Sequence, residues 1–540
     1  MKHRPDIDGL RAVTKRMLFV GLLPAVLVGA LWGQQAPTYN EDVAPILYQN
    51  CAGCHRPGEV APFPLLTYQD AARRAGLLAA VTRKRYMPPW KPDPGLLPFA
   101  NERRLTEEQI ETIQTWAAGG VPEGDPDKRP AAPHFPEGWH TGSPDLVLTP
   151  PDAFQVPADG PDIYRCVVMP LHGDARYLRG LEFQPGNRRV VHHALIYVDT
   201  TGTARRLDAA TPEPGYPCVG GPGFPLRAML GFWVPGPYPL PSPPGTAKVI
   251  PKDADVVVQI HYHPSGKIEV DQSSVGLMLT GKPARELQTI FVRGSRIAIA
   301  PGDAHYVVEA STTLPADVDL VDVTPHAHYI CREMTAEAHL PDGTAIRLIH
   351  IRDWDFNWQG LYTYQKPLRL PRGTRVALRY LYDNSEGNPR NPSHPPQGVA
   401  GGERTIDEMA LLIMTVALAN PAETAHFQAA MRLIMLEQLL EGGEKLENYF
   451  HVSEMPVGFR LVYRLFDSNH DGRLDTNERS AFAKRLKWAI DLMNSPHWGL
   501  IRMAAGVLLL GAALGALFLL SKGAQFVIRK LATARALSHH

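Results

Sequence analysis

From about Gly142 to Ala419 the chain is a succession of short alternating apolar runs, each broken by Pro, Gly or Asp. Val256-Val257-Val258-Gln259-Ile260 and Val376-Ala377-Leu378-Arg379-Tyr380 are examples. This is the text of strands joined by tight turns and packed as β-sandwiches, not of a helical bundle. The 51 prolines and 46 glycines among 540 residues agree with it. A chain of this length exceeds one core, so several domains are expected. Its formal charge is zero, which argues against nucleic acid as a main partner.

The flanks read differently. Residues 36–127 are helical text with Pro-rich loops. Leu105-Thr106-Glu107-Glu108-Gln109-Ile110 opens a helix with a Thr cap and early acids, which runs through Ile113 and Trp116 to a stop at Gly119-Gly120. A Pro-rich linker follows at 128–143. The β text divides into 144–283 and 284–420. After Pro421 apolar residues fall at helical spacing from Ala422 to about Leu440, within a helical region expected over 421–495.

Cys51-Ala52-Gly53-Cys54-His55 is a CysXXCysHis motif. Two thiols at this spacing can add to the two vinyl groups of one haem, and the adjacent histidine then reaches the iron. His55 is the expected first axial ligand. Met87, in Arg85-Tyr86-Met87-Pro88-Pro89-Trp90, is the candidate sixth ligand, because the prolines hold an extended loop. Over about ninety residues the segment resembles a small class I cytochrome c. Covalent haem c implies a compartment outside the cytoplasm.

Two segments are membrane-seeking. Lys15 and Arg16 precede the apolar Met17–Trp32, so 1–35 reads as a signal peptide or signal anchor. Met503–Leu520 has 18 residues without a charge, near the lower limit for a spanning helix, and a transmembrane helix is expected over 500–521. Lys522, Arg529, Lys530 and Arg535 follow, so the tail at 522–540 is expected in the cytoplasm and the main domains outside.

Between them, Asp467-Ser468-Asn469-His470-Asp471-Gly472-Arg473-Leu474-Asp475-Thr476-Asn477-Glu478 matches the calcium loop of an EF-hand. Asp467, Asn469, Asp471, Asp475 and Glu478 would supply side-chain oxygens, Arg473 its carbonyl, and Gly472 permits the sharp turn. Of the five cysteines, Cys166, Cys218 and Cys331 lie outside the haem motif. An odd number leaves at least one outside any intrachain bridge; a Cys166–Cys218 pair is one possibility.

Three histidine groupings lie on strand-like text: His192-His193, His261-Tyr262-His263 and His326-Ala327-His328. Adjacent strand residues point to opposite faces, so His192 and His193 converge on one metal only with local distortion. The i, i+2 spacing of His326 and His328 puts both rings on one strand face, ready to chelate one ion. Either grouping alone also occurs as packed or surface histidines. A thioether is available at Met409 in Asp407-Glu408-Met409. Imidazole suits copper or zinc, and added thioether ligation favours reduced copper.

In this order the motifs resemble the copper type II, ascorbate-dependent monooxygenases, the peptidylglycine α-hydroxylating and dopamine β-monooxygenase family, over roughly Pro144 to Ala419. The resemblance implies two jelly-roll sandwiches, each holding one copper across an open cleft. His192, His193 and His261 would hold the electron-transfer copper, and His326, His328 and Met409 the oxygen-binding, catalytic one. His263 is expected beside His261 or at the surface. The family's carboxylate-anchoring Arg and Tyr are Thr324 and Ile413 here, so a peptidylglycine substrate is not expected.

The expected fold is therefore multidomain: a small all-α cytochrome c domain, two all-β jelly-roll sandwiches, an EF-hand segment and a transmembrane helix. The expected function is hydroxylation of a C–H bond with O2. The cofactors would be haem c, two copper ions and calcium. The partners would be a small-molecule substrate, a redox donor protein or small reductant, and the membrane. The competing class is a non-catalytic haem and copper electron-transfer subunit of a membrane complex.

Overall fold

The computed structural model describes residues 36–441, apart from 60, 96, 101, 136–137, 220, 225–228, 236–239 and 403, together with parts of 464–485. The leader, the expected span at 500–521 and the basic tail lie outside these residues. Among those described, no helix is long and apolar enough to cross a membrane.

The described residues begin with a helical unit. After a π-helical turn at Tyr39–Val43 come helices Ala44–Asn50, Tyr68–Ala72, Ala75–Arg83 and Glu107–Ala118. Thr106 caps the last through a reciprocal pair: Gln109 N donates to Thr106 Oγ1 (3.2 Å) and Thr106 N to Gln109 Oε1 (3.0 Å). The helix ends at Gly119, and Gly120 turns the chain at φ +85°. Leu47, Ile113 and Trp116 form the centre of this unit's core.

Two antiparallel sheets follow. One runs Leu146–Leu148, Ser274–Thr280, Arg176–Gln184, Thr246–Ile250; the other runs Tyr216–Pro217, Ile163–Pro170, Asp255–Tyr262, Val191–Asp199, Met229–Trp233. One apolar core draws on both: Leu178, Phe183 and Val275 meet Val167, Ile196 and Val258. Asp255–Tyr262 is buried at every position. Its Val258 faces that core, while Val257 packs with Tyr216 and the Cys166–Cys218 disulfide on the other side.

A second pair of sheets makes a second sandwich: Arg285–Arg293, Leu411–Leu418, Val318–His326, Tyr362–Leu370, and Tyr306–Thr313, Arg375–Tyr382, Cys331–His339, Ala345–Ile351. Its core joins Ile290, Leu320 and Met414 to Val308, Met334 and Leu378. The sandwiches share an edge, where Arg285 and Glu286 pair in parallel with Thr246 and Ala247 to make one eight-stranded sheet. The described residues are thus mostly β, with few helices. Cys331 is buried and carries no disulfide. The helix Thr424–Glu441 lays Phe427 into the second core.

The helical unit is docked on both sandwiches. Phe99 bridges to Tyr364, Ala100 N donates to Thr363 O (2.7 Å), and Arg352 and His350 pair with Asp93 at 2.7 and 2.8 Å. On the first sandwich, Glu59 in the loop after the CysXXCysHis turn pairs with Arg188 at 2.6 Å, four residues before His192. Arg56 reaches His140 (3.1 Å), whose Nδ1 lies 2.9 Å from the buried Glu182.

Candidate metal and haem centres

His192, His193 and His261 come together, each offering one ring nitrogen, with all three atoms within 4.8 Å of one another. The distortion that adjacent histidines need is a β-bulge. Val191 pairs with Tyr262 and His193 with His261, which leaves His192 as the extra residue and turns its ring to the same side. The Nδ1 atoms of His192 and His261 lie 3.1 and 3.3 Å from that of His193. Burial, reinforced by the neighbouring imidazoles, holds the His192 ring down at about 4 and the His193 ring well below the usual range. Neutral imidazoles are the form that binds a transition metal.

Asp162 stands behind the cluster. Its Oδ2 lies 2.8 Å from His261 Nε2, off the hydrogen-bond axis, and its Oδ1 lies 2.7 Å from His263 Nδ1. The adjoining imidazoles, His261 first and then His263, hold the Asp162 carboxyl down at about 2. His261 also stacks on Tyr164 at 4.3 Å. His263 itself is 72% exposed.

The second pair departs from the simple strand picture. The strand ends at His326, and His328 lies in the turn beyond it, yet the rings are neighbours with centroids 5.3 Å apart. Each Nδ1 faces an acceptor: Gln359 Oε1 at 2.6 Å for His326, with the amide in this orientation, and the Asp407 carbonyl, which cannot donate, at 2.9 Å for His328. The protons therefore sit on Nδ1 and the Nε2 lone pairs remain for a ligand, the arrangement that supports metal-binding histidines. Burial and the nearby His326 lower the His328 ring to about 3.

Glu408 holds the turn. Its Oε2 accepts from His328 N (2.8 Å) and Met409 N (3.2 Å), and its Oε1 from Ile330 N (2.8 Å). Met409 O accepts from Tyr382 Oη at 2.6 Å, so the Met409 backbone is fixed beside His328.

The cleft between the two groupings is bridged. Phe356 stacks on His192 at 5.8 Å and meets His328 edge-on at 5.7 Å. A cavity of about 90 Å³ lies between the sandwiches. It is lined by Leu178, Leu230 and Lys248 from one and Asp322, Thr324 and Ile413 from the other. Thr324 precedes His326 by two residues on the same strand, so the cavity adjoins that histidine's strand face. Burial raises Asp322 to about 6 and lowers Lys248, whose Nζ donates to Leu230 O at 3.0 Å.

At the CysXXCysHis turn, Cys54 N and His55 N both donate to Cys51 O, at 3.1 and 2.9 Å. His55 Nδ1 donates to Phe63 O at 3.0 Å, leaving Nε2 for an axial bond. Burial pushes the Cys51 thiol up to about 12 and raises that of Cys54. Met87 is half-buried. Near it Trp90 and Trp358 bury indole N–H groups with no acceptor. Arg103 is held beside Cys54 and donates to Pro89 O at 3.3 Å. Buried donors without acceptors call for an explanation, and the two carboxylates of a haem are acceptors of the right kind. The residues fit the group.

Of the acidic loop, Asn469, Asp471 and Arg473 lie outside the described residues. Asp467 and Glu478 are buried, and Asp475 N and Ser468 N donate to the Glu478 carboxylate at 2.9 and 2.7 Å. Phe466 and Phe482 pack edge-on at 5.4 Å across the loop.

Asp162, Gln359 and Phe356 carry no sequence signal. Asp407 and Glu408 stood inside a recognised motif.

No family model matches this chain, and no curated protein matches it. Among solved structures it is similar to the major capsid protein P2 of Bacteriophage PM2, with 6% identity and a TM-score of 0.21 over 51% of this chain and 98% of that one. It is also similar to VP2 of the infectious bursal disease virus subviral particle, with 10% identity and a TM-score of 0.15 over 65% and 95%. Scores this low carry no argument about this chain.

Proposed function

We propose that this protein is a membrane-tethered, extracytoplasmic dicopper monooxygenase that hydroxylates a C–H bond with O2 and draws electrons through covalently bound haem c. The observation that carries the reading is the placement of two separate histidine groupings on either side of Phe356, with the CysXXCysHis unit docked against both sandwiches. His192, His193 and His261 would hold one copper; His326, His328 and Met409 would hold the other. When bound, copper supplies one-electron redox chemistry and an open position for O2.

The chain's own residues do the rest. Gln359 and the Asp407 carbonyl hold protons on Nδ1 of His326 and His328, so both rings present Nε2. Burial keeps the imidazoles neutral. The cavity lined by Thr324, two residues before His326, would take the substrate. Its lining is mainly apolar, and Lys248 and Asp322 face it with opposite charges, which favours a small neutral molecule over a peptide carboxylate. The acidic loop would bind calcium and stiffen the stalk, and 500–521 would anchor the protein, with the tail in the cytoplasm.

The test is metal and haem analysis of the full chain, followed by O2 uptake with a panel of small apolar substrates and a one-electron reductant. Two coppers per haem with substrate-dependent uptake support the reading. Haem and copper without uptake, in a protein that co-purifies with stoichiometric membrane partners, would replace it with an electron-transfer subunit.

A further inference from the structure

The turn Asp355–Gln359 touches both histidine groupings and the loop that carries Met87. Gln359 holds the His326 ring. Phe356 lies against His192 on one side and His328 on the other. Trp358 meets Tyr86, the neighbour of Met87, edge-on with centroids 5.9 Å apart. Its indole N–H is buried with no acceptor, as is that of Trp90 in the same loop of the helical unit. The turn itself is pinned: Asp355 Oδ1 accepts from Asn357 N (3.0 Å), and Trp354 Nε1 donates to His328 O (3.0 Å).

We propose that this turn is the junction through which the haem electron reaches the histidine groupings, with Trp358 against the haem edge and Phe356 filling the gap to His192 and His328. The proposal rests on the haem–copper reading above. The orphaned Trp358 N–H donates to a haem carboxylate, so the second sandwich completes the haem pocket. From there Trp358 and the buried Phe356 lie two residues apart on the same short turn, Phe356 reaching His192 and His328. The step is a one-electron transfer without a proton. Ferrous haem is oxidised to ferric, one cupric ion is reduced to cuprous, and an external one-electron reductant such as ascorbate restores the haem.

The experiment is pulse radiolysis of the oxidised, copper-loaded full chain, following haem re-oxidation in its visible bands. Copper content and the copper EPR spectrum serve as controls. Trp358→Leu and Phe356→Leu each slow intramolecular transfer at least tenfold with parental copper spectra. Trp358→Phe keeps the ring, so its rate stays within about threefold of the parent. It loses the N–H, so the haem potential falls as the carboxylate regains full negative charge. Parental transfer rates in both leucine variants, with haem and copper loaded, overturn the junction and leave the enzyme reading standing. A parent chain that binds no haem or no copper overturns both.

Discussion

Glu408 is the residue whose removal tests the architecture of the His326/His328 site most directly. Its two oxygens take three backbone N–H groups, from His328, Met409 and Ile330, at 2.8, 3.2 and 2.8 Å, and the side chain is 1% exposed. Glu408→Gln can keep its one oxygen on His328 and Met409 and turn its amide toward Ile330. That leaves one buried N–H without an acceptor and costs about 1–3 kcal/mol. Glu408→Ala strands all three donors. Water entering the vacated space relieves part of the loss, so the expected cost is about 3–6 kcal/mol. Urea unfolding of the metal-free protein reads both values, and the order parent, Gln, Ala should hold at unchanged m. The same order should appear in copper affinity at this site, because His328 and Met409 lose the same clamp. An alanine variant within about 1 kcal/mol of the parent would refute the reasoning, since it would mean that the buried donors find other partners at no cost.

Further outcomes are expected. The metal-free protein should lose stability as pH falls from about 6.5 toward 4: the unfolded imidazoles of His192 and His328 take up protons near 6.5, whereas the folded ones stay neutral to about 4 and about 3. Urea midpoints at pH 7 and pH 5 measure this, and a midpoint that rises on acidification would contradict it. Reducing the Cys166–Cys218 bridge, whose partners are 52 residues apart, should cost about 4 kcal/mol of loop-closure stabilisation, read as a lower Tm. Asp162→Asn should weaken copper binding at the three-histidine cluster by about 10- to 100-fold in a competition titration. His263→Ala, at an exposed side chain, should leave that affinity within a few-fold of the parent.

Local chemistry in the chain was enough to read the elements. Alternation of apolar and polar residues marks strands wherever one face is buried, and the Thr106–Gln109 cap sits where the helix begins because both halves of the motif lie within four residues. The expectation that His192 and His193 need a distortion was readable too, because strand geometry forbids adjacent side chains from sharing a face. The distortion itself was not. It is a register slip between two strands whose paired residues, His193 and His261, are far apart in sequence. The strand expected to carry both His326 and His328 stops at the first, and the pair stays together only because Glu408 and the Asp407 carbonyl arrive from a distant loop.

By itself, then, the sequence determined where strands and helices fall among the described residues and which side chains are candidate ligands, since those properties belong to single residues and their near neighbours. Tertiary structure alone decided which imidazoles come together, which carbonyls and carboxylates meet them, and that Phe356 lies between the two histidine groupings. Those are contacts between residues remote along the chain, set by sheet register and by how the helical unit seats on the two sandwiches, and no periodicity encodes them.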